Sequence, residues 1–254
     1  MSDASKKKRK KDPNILIKII LLVLIVIACI VIYTVCSWLD FYNVKKVQIN
    51  TSDLKHYKEQ DVLASIKQNI YDNILKIDIK DVQEEIYQLP YVKNVKISKV
   101  FPRTLKIEIE EKEPTYIVSY FSKFLLLDNE YKVLEIVEEY KLKDTEFLIK
   151  SVEIRKGIKP NDYIADEFIF TFKTAKKIND TFNLKVEDEK IKNIDFKDNK
   201  IILELHSEVL VSIRNEENFD YQMRSLNEIL KKNKNKNIYI DMTTDIPFSK
   251  DKKY

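Results

Sequence analysis

Residues 89–114 read LPYVKNVKISKVFPRTLKIEIEEKEP, and their alternation decides how the chain is put together. Val92–Val100 sets Val95 and Ile97 on one side and Lys96 and Ser98 on the other, the period of a strand with one buried face. Phe101-Pro102-Arg103 interrupts this as a turn. Thr104–Glu110 then resumes with Leu105, Ile107 and Ile109 inward and Lys106, Glu108 and Glu110 outward. Pro114 has no N–H to give a ladder and marks a boundary. Upstream, Asp78 stands as an N-cap with Asp81 three residues on, and Ile79, Val82, Ile86 and Leu89 recur at helical spacing until Pro90 stops them. Val62, Leu63, Ile66 and Ile70 share one face of an earlier helix, and Val44–Ile49 alternates as a strand. The predicted order is strand, helix, helix, strand, strand.

The stretch beyond Pro114 is β-rich. Phe124–Leu127 and Lys132–Val137 flank Asp128-Asn129-Glu130-Tyr131 as a hairpin. A helix within 164–179 buries Phe168, Phe172 and Ala175. Strands follow at Ile191–Phe196, Ile201–His206 and Val209–Ile213. A helix over 216–232 carries Phe219, Met223, Leu226 and Leu230 on one face, and a last strand runs Asn237–Met242. Thr244–Tyr254 is polar apart from Ile246-Pro247-Phe248 and reads as a loose tail.

Ile15–Val35 reads ILIKIILLVLIVIACIVIYTV, with Lys18 its only charge. As a helix it spans roughly 31 Å, about the hydrocarbon thickness of a bilayer. It lacks the polar stripe of a buried soluble helix, Lys18 can snorkel from one turn inside the end, and Tyr33 and Trp38 suit the opposite interface. Residues 1–18 carry a net +5 and the whole chain +4, so the remainder sums to −1. This asymmetry puts the basic block in the cytoplasm and residues 39–254 outside. The block also has the composition of a nuclear-localisation or nucleic-acid patch, but the adjoining span makes it a topology signal. The apolar run is longer than a signal peptide's and continues past Cys29, which argues against cleavage there.

Cys29 and Cys36 both lie in or at the edge of this span, leaving the outer region without disulfides or thiolate metal sites. Gly157 is the only glycine, which excludes a P-loop, a GxGxxG fingerprint and a GxSxG nucleophile elbow. His56 and His206 are far apart in sequence, and neither has the spacing of a metal helix or a Cys–His dyad. Glu110 and Glu111 are adjacent and point to opposite faces of a strand. No catalytic residue, metal site or cofactor is expected.

This order of elements resembles the bacterial cell-division family FtsQ, called DivIB in Gram-positive bacteria. The resemblance is carried by Leu89-Pro90-Tyr91-Val92-Lys93-Asn94-Val95, Phe101-Pro102-Arg103-Thr104-Leu105 and Glu111-Lys112-Glu113-Pro114. Leu125-Leu126-Leu127-Asp128 is similar to the family's hairpin into a D-x-x-G turn, and Ile238-Tyr239-Ile240-Asp241 to its last strand. The resemblance implies an α+β architecture: a basic tail at 1–14, a transmembrane helix at 15–38, a POTRA domain (β-α-α-β-β) at 39–113, a β-rich α+β domain at 114–243 and a flexible tail at 244–254. Tyr131 stands where the family usually has the turn glycine, and Ser151 or Arg214 where others are common, so relaxed turns are expected there.

The implied function is a non-catalytic divisome scaffold at the septum that recruits or regulates septal peptidoglycan synthesis. An exposed strand offers unpaired N–H and C=O groups to a partner's strand. Ile238, Tyr239, Ile240, Met242, Ile246 and Phe248 are the candidate partner-binding residues, though Ile238, Ile240 and Met242 could equally close the core. The resemblance implies small coiled-coil membrane division proteins, FtsB/DivIC-like and FtsL-like, as partners, with septal peptidoglycan synthases beyond them. The strand edge near Tyr91–Val100 is a second candidate surface. A membrane-anchored cell-wall enzyme and a signal-transducing regulator are the alternatives.

Overall fold

The computed structural model describes residues 13–38, 41–50, 54–197, 200–214, 219–233, 238–244 and 247–251. Helix α1 (Pro13–Trp38) contains the apolar stretch Ile15–Val35, whose mean hydropathy is 3.6 and none of which is buried. It is the one helix among the described residues long and apolar enough to cross a membrane. The side chains of Cys36 and Trp38 lie outside the described set. The rest of the chain is α+β, and the whole divides into two compact units, one formed by residues up to 87 with 94–110, the other by 88–93 with 111 onward.

The first unit has the order β1 (Lys46–Asn50), α2 (Glu59–Ser65), α3 (Ile79–Ile86), β2 (Val92–Val100), β3 (Thr104–Glu111). Its strands form a sheet ordered β1-β3-β2, with β1 parallel to β3. The alternation read in the sequence is what the sheet buries: Leu105, Ile107 and Ile109 join Val62, Ile74, Val82 and Ile86 in the core. Asp78 caps α3 by accepting the Lys80 N–H at 2.8 Å, as its position suggests.

α2 is shorter than the apolar spacing predicts. It stops at Ser65, and Ile66 is extended, so Ile70 reaches the core from an irregular segment. The reason is local competition for backbone donors. Asn69 Oδ1 takes the Tyr71 N–H at 3.1 Å and Asn73 Oδ1 takes the Leu75 N–H at 2.9 Å, turns that a helix would forbid. α3 likewise ends at Ile86, leaving Leu89 beyond it.

The second unit holds a nine-stranded mixed sheet. Its strands are β4 (Tyr116–Tyr120), β5 (Lys123–Leu127), β6 (Val133–Val137), β7 (Leu148–Lys150), β8 (Ile191–Lys197), β9 (Lys200–Leu205), β10 (Leu210–Arg214), β11 (Ile238–Asp241) and β12 (Phe248–Asp251). They lie in the order β12-β11-β10-β9-β8-β7-β4-β5-β6. Two antiparallel meanders, β4-β5-β6 and β8-β9-β10, are joined through β7, which runs parallel to both β4 and β8. Each of the two helices is a crossover between parallel strands, α4 (Ile169–Lys185) from β7 to β8 and α5 (Phe219–Lys232) from β10 to β11. Phe172, Ala175, Ile178 and Phe182 of α4 and Phe219, Met223 and Leu226 of α5 pack with the strands into one core. α4 starts after a 3₁₀ turn (Asp166–Phe168) and runs past 179 because Ile178 and Phe182 continue its buried stripe.

The expected relaxed turns do not occur. Tyr131 keeps φ at 64° and Ser151 at 57°, so the left-handed conformation survives the loss of glycine at both positions; Arg214 does not share it. Tyr131 gains packing in return. Its ring stacks on Tyr116 at 5.4 Å and on Phe172 at 6.0 Å between centroids. Burial and the neighbouring Tyr131 push the Tyr116 hydroxyl above its ordinary pKa.

Candidate functional site

The partner-binding reading depends on which strand lies at the edge, and here the tertiary structure differs from the sequence expectation. β11 is an interior strand. It pairs in parallel with β10 and in antiparallel with β12, which is formed by part of the segment expected to be loose. The register is Ile238↔Asp251, Tyr239↔Lys250, Ile240↔Ser249 and Asp241↔Phe248. Ile238, Ile240 and Met242 point into the core beneath the helices and are buried. Ile246 lies outside the described residues.

The direction of each peptide group follows from the ladder. Met242 donates its N–H to the Ser212 carbonyl at 2.8 Å, and Ser212 is registered opposite Asp241. In a parallel pair this turns the peptide groups of Ile240 and Met242 toward β10 and those of Tyr239 and Asp241 toward β12. Lys250 and Phe248 answer them. By alternation, Ser249 and Asp251 direct their N–H and C=O away from the sheet. These are the groups an added strand would meet.

Side chains on the sheet face away from the helices gather beside this edge. Phe248 is 44% exposed, and the Lys250 ammonium lies 5.1 Å from the centre of the Tyr239 ring. Asp241 Oδ1 accepts the Thr243 N–H at 2.9 Å and the Thr243 hydroxyl at 2.6 Å. Burial opposes ionisation of Asp241, but these hydrogen bonds, the charge of Lys200 and the Tyr239 hydroxyl outweigh it and lower the pKa. The structure therefore brings Tyr239 and Phe248 to an accessible face and removes Ile238, Ile240 and Met242 from it. Ser249, Lys250 and Asp241 were not legible as site residues, because Phe248-Ser249-Lys250-Asp251 has too little apolar character to announce a strand.

The opposite edge of the large sheet is partly closed. Val133 in β6 donates to the Asp162 carbonyl and accepts from the Asn161 N–H, both at 2.8 Å, so a loop covers the start of that strand. In the small sheet, β2 is an edge strand, which is the second surface expected from the sequence.

Neither histidine enters a constellation with the other; His206 lines an open cleft of about 630 Å³ with Asp144, Asn179, Asn183 and Glu189. Among the described residues, no group of three or more His, Cys, Asp or Glu side chains is placed to hold a metal ion.

Comparison with known proteins agrees with this architecture. Residues 42–112 match the family described as POTRA domain, FtsQ-type. Over 200 residues the chain is 28% identical to the cell division protein DivIB of Clostridium tetani, covering 79% of this chain and 68% of that protein. It is 28% identical over 108 residues to DivIB of Clostridium acetobutylicum, 42% of each chain. It is 30% identical over 99 residues to the cell division protein FtsQ of Neisseria meningitidis, 37% of this chain and 41% of that one. A POTRA unit of FtsQ type, a β-rich unit after it, an apolar helix before it and these relatives converge: the chain is similar to the FtsQ and DivIB cell division proteins, and these findings together support that family.

Proposed function

We propose that this protein is a membrane-anchored division scaffold with no chemistry of its own, and that it holds partner proteins by strand addition at the outer edge of β12. The observation behind this reading is the outward direction of the Ser249 and Asp251 peptide groups on a strand that, among the described residues, pairs only with β11. Main-chain hydrogen bonds give the pairing, and Phe248 with the Tyr239–Lys250 pair gives it side-chain contacts. The partners are small coiled-coil membrane division proteins, FtsB/DivIC-like and FtsL-like, through which septal peptidoglycan synthases are recruited or regulated. The basic tail lies in the cytoplasm and the two folded units lie outside, concentrated at the septum.

The test is co-purification of these partners with the detergent-solubilised chain. Ser249→Pro removes an outward donor and no β11·β12 bond, and should cut recovery of the partners at least about tenfold with the fold retained. Normal recovery would show that the partner does not pair with β12. Turnover of purified peptidoglycan by the same preparation would overturn the non-catalytic reading. A cysteine at position 249 should react with an impermeant maleimide from outside the cell.

A further inference from the structure

Exposed apolar side chains gather at the end of the first unit's sheet where β1 and β3 begin and β2 ends. Val100 is 47% exposed, Phe101 56% and Phe41 43%. Arg103 ties the group together. Its Nε–H donates to the Phe41 carbonyl at 2.8 Å, and its guanidinium lies 5.2 Å from the centre of the Phe41 ring. Its own carbonyl accepts the N–H groups of Lys45 and Lys46 at 2.9 and 3.3 Å. The β2–β3 turn and the chain entering β1 are thus one structure.

Single apolar side chains on a surface need no explanation, but several at one point do. Connection to α1 says what covers these. The three helical residues from Val35 to Trp38 rise about 4.5 Å, and the three from Trp38 to Phe41 reach at most about 11 Å. With Ile15–Val35 in the hydrocarbon core, Phe41 lies within about 15 Å of the hydrocarbon edge, which carries a headgroup layer about 5–8 Å deep. Arg103 fixes the turn beside it.

The charges agree with that neighbour. Lys45 and Lys46 are exposed, and Arg103 uses one of its five donors on Phe41. Asp72 is an acid at this end, but its carboxylate accepts the Asn73 N–H at 2.7 Å. Asp40, in the connection to α1, lies outside the described residues. Glu108 and Glu110 of β3 fall toward the other end of the sheet, where Asn50 is registered opposite Glu108. Aromatic rings with cations beside them, held near the headgroups, are the composition of a membrane-surface contact.

We propose that this end of the sheet rests on an anionic phospholipid surface, with Phe41, Val100 and Phe101 entering the interfacial layer and Arg103, Lys45 and Lys46 meeting phosphates. The first unit is then held to the bilayer at two points, the span and the turn. The contact rests on the membrane-anchored reading above, and its test separates the two.

The full chain is reconstituted into phosphatidylcholine vesicles with and without about 30% phosphatidylglycerol. A nitroxide label is placed at Phe101→Cys, Val100→Cys or Glu110→Cys, each with Cys29→Ala and Cys36→Ala, and on native Cys29 with Cys36→Ala. Collision with membrane-soluble oxygen and with a water-soluble nickel chelate reads the depth of each label. Position 110 lies about 20 Å from Thr104 along β3 and should read as water-exposed. Labels at 100 and 101 should give an oxygen-to-nickel ratio at least about threefold above that at 110. Lys45→Gln with Lys46→Gln should lower it in the phosphatidylglycerol vesicles toward its value in phosphatidylcholine alone. Immersion at either position supports the contact. With Cys29 lipid-immersed, ratios at 100 and 101 no higher than at 110 overturn the contact and leave the span standing. A water-exposed Cys29 overturns both. A ratio unmoved by the lysine substitutions overturns the part given to charge.

Discussion

The Lys112 ammonium lies 2.7 Å from Oδ2 of Asp128, a carboxylate only 1% exposed at the β5–β6 turn. The other oxygen of Asp128 accepts the N–H groups of Glu130 and Lys132 at 2.8 and 2.9 Å. One side chain thus closes the turn from within and anchors the residues just ahead of Pro114. Asp128→Ala should destabilise the protein by about 2 kcal/mol, since two part-buried backbone donors and a part-buried ammonium lose their acceptor. Lys112→Met should cost less, because the remaining carboxylate keeps both backbone donors. Urea unfolding followed by circular dichroism checks both, and an Asp128→Ala loss under 1 kcal/mol would contradict this account.

The two glycine-like positions should respond in opposite directions. Ser151 is exposed with φ at 57°, so Ser151→Gly should stabilise by about 1 kcal/mol. Tyr131 has a similar φ, but its ring stacks on Tyr116 and Phe172. Tyr131→Gly should destabilise by about 2 kcal/mol despite the relieved backbone, because the packing lost exceeds the strain removed. Thermal unfolding of the two variants side by side reads the difference in sign.

Asp241 has a pKa below its ordinary value of 3.8 in the folded state, so folding favours its ionised form. Its contribution to stability is therefore full above the unfolded value, from about pH 5, and is lost as the pH falls through the folded one. Glu204 is shifted the same way: burial opposes ionisation, but Asn193, Lys192 and Lys150 outweigh it. Because the two overlap, the difference in unfolding free energy between the native chain and Asp241→Asn, followed from pH 5 downward, isolates Asp241. That difference should shrink as the pH falls; a flat difference would mean that Asp241 is not selectively stabilised as the anion.

Proline substitution separates the inner from the outer strand. Ile240 is fully buried and its N–H points to β10, so Ile240→Pro should cost about 3 kcal/mol or more and disrupt the sheet. Ser249→Pro touches an edge whose N–H points to solvent and should change stability by less than about 1 kcal/mol. Denaturation midpoints of the two variants check the strand order directly.

Local pattern carried most of the elements. Strict alternation at Leu105, Ile107 and Ile109, bracketed by Pro102 and Pro114, leaves a strand little alternative, and Asp78 with Val82 and Ile86 does the same for α3. The uninterrupted apolar run from Ile15 to Val35 needs no context at all, because bilayer thickness is itself the template. Where local and long-range demands compete, as at Asn69 and Asn73, apolar spacing alone overextends the helix. The candidate site was least legible. Phe248-Ser249-Lys250-Asp251 has no buried face of its own and becomes a strand only because β11 offers it a row of open peptide groups. That pairing turned the expected edge into an interior strand and moved Ile238, Ile240 and Met242 from contact surface to core. A sequence states which residues alternate, but which strand lies outermost depends on pairings between distant segments, and only the folded sheet decides them.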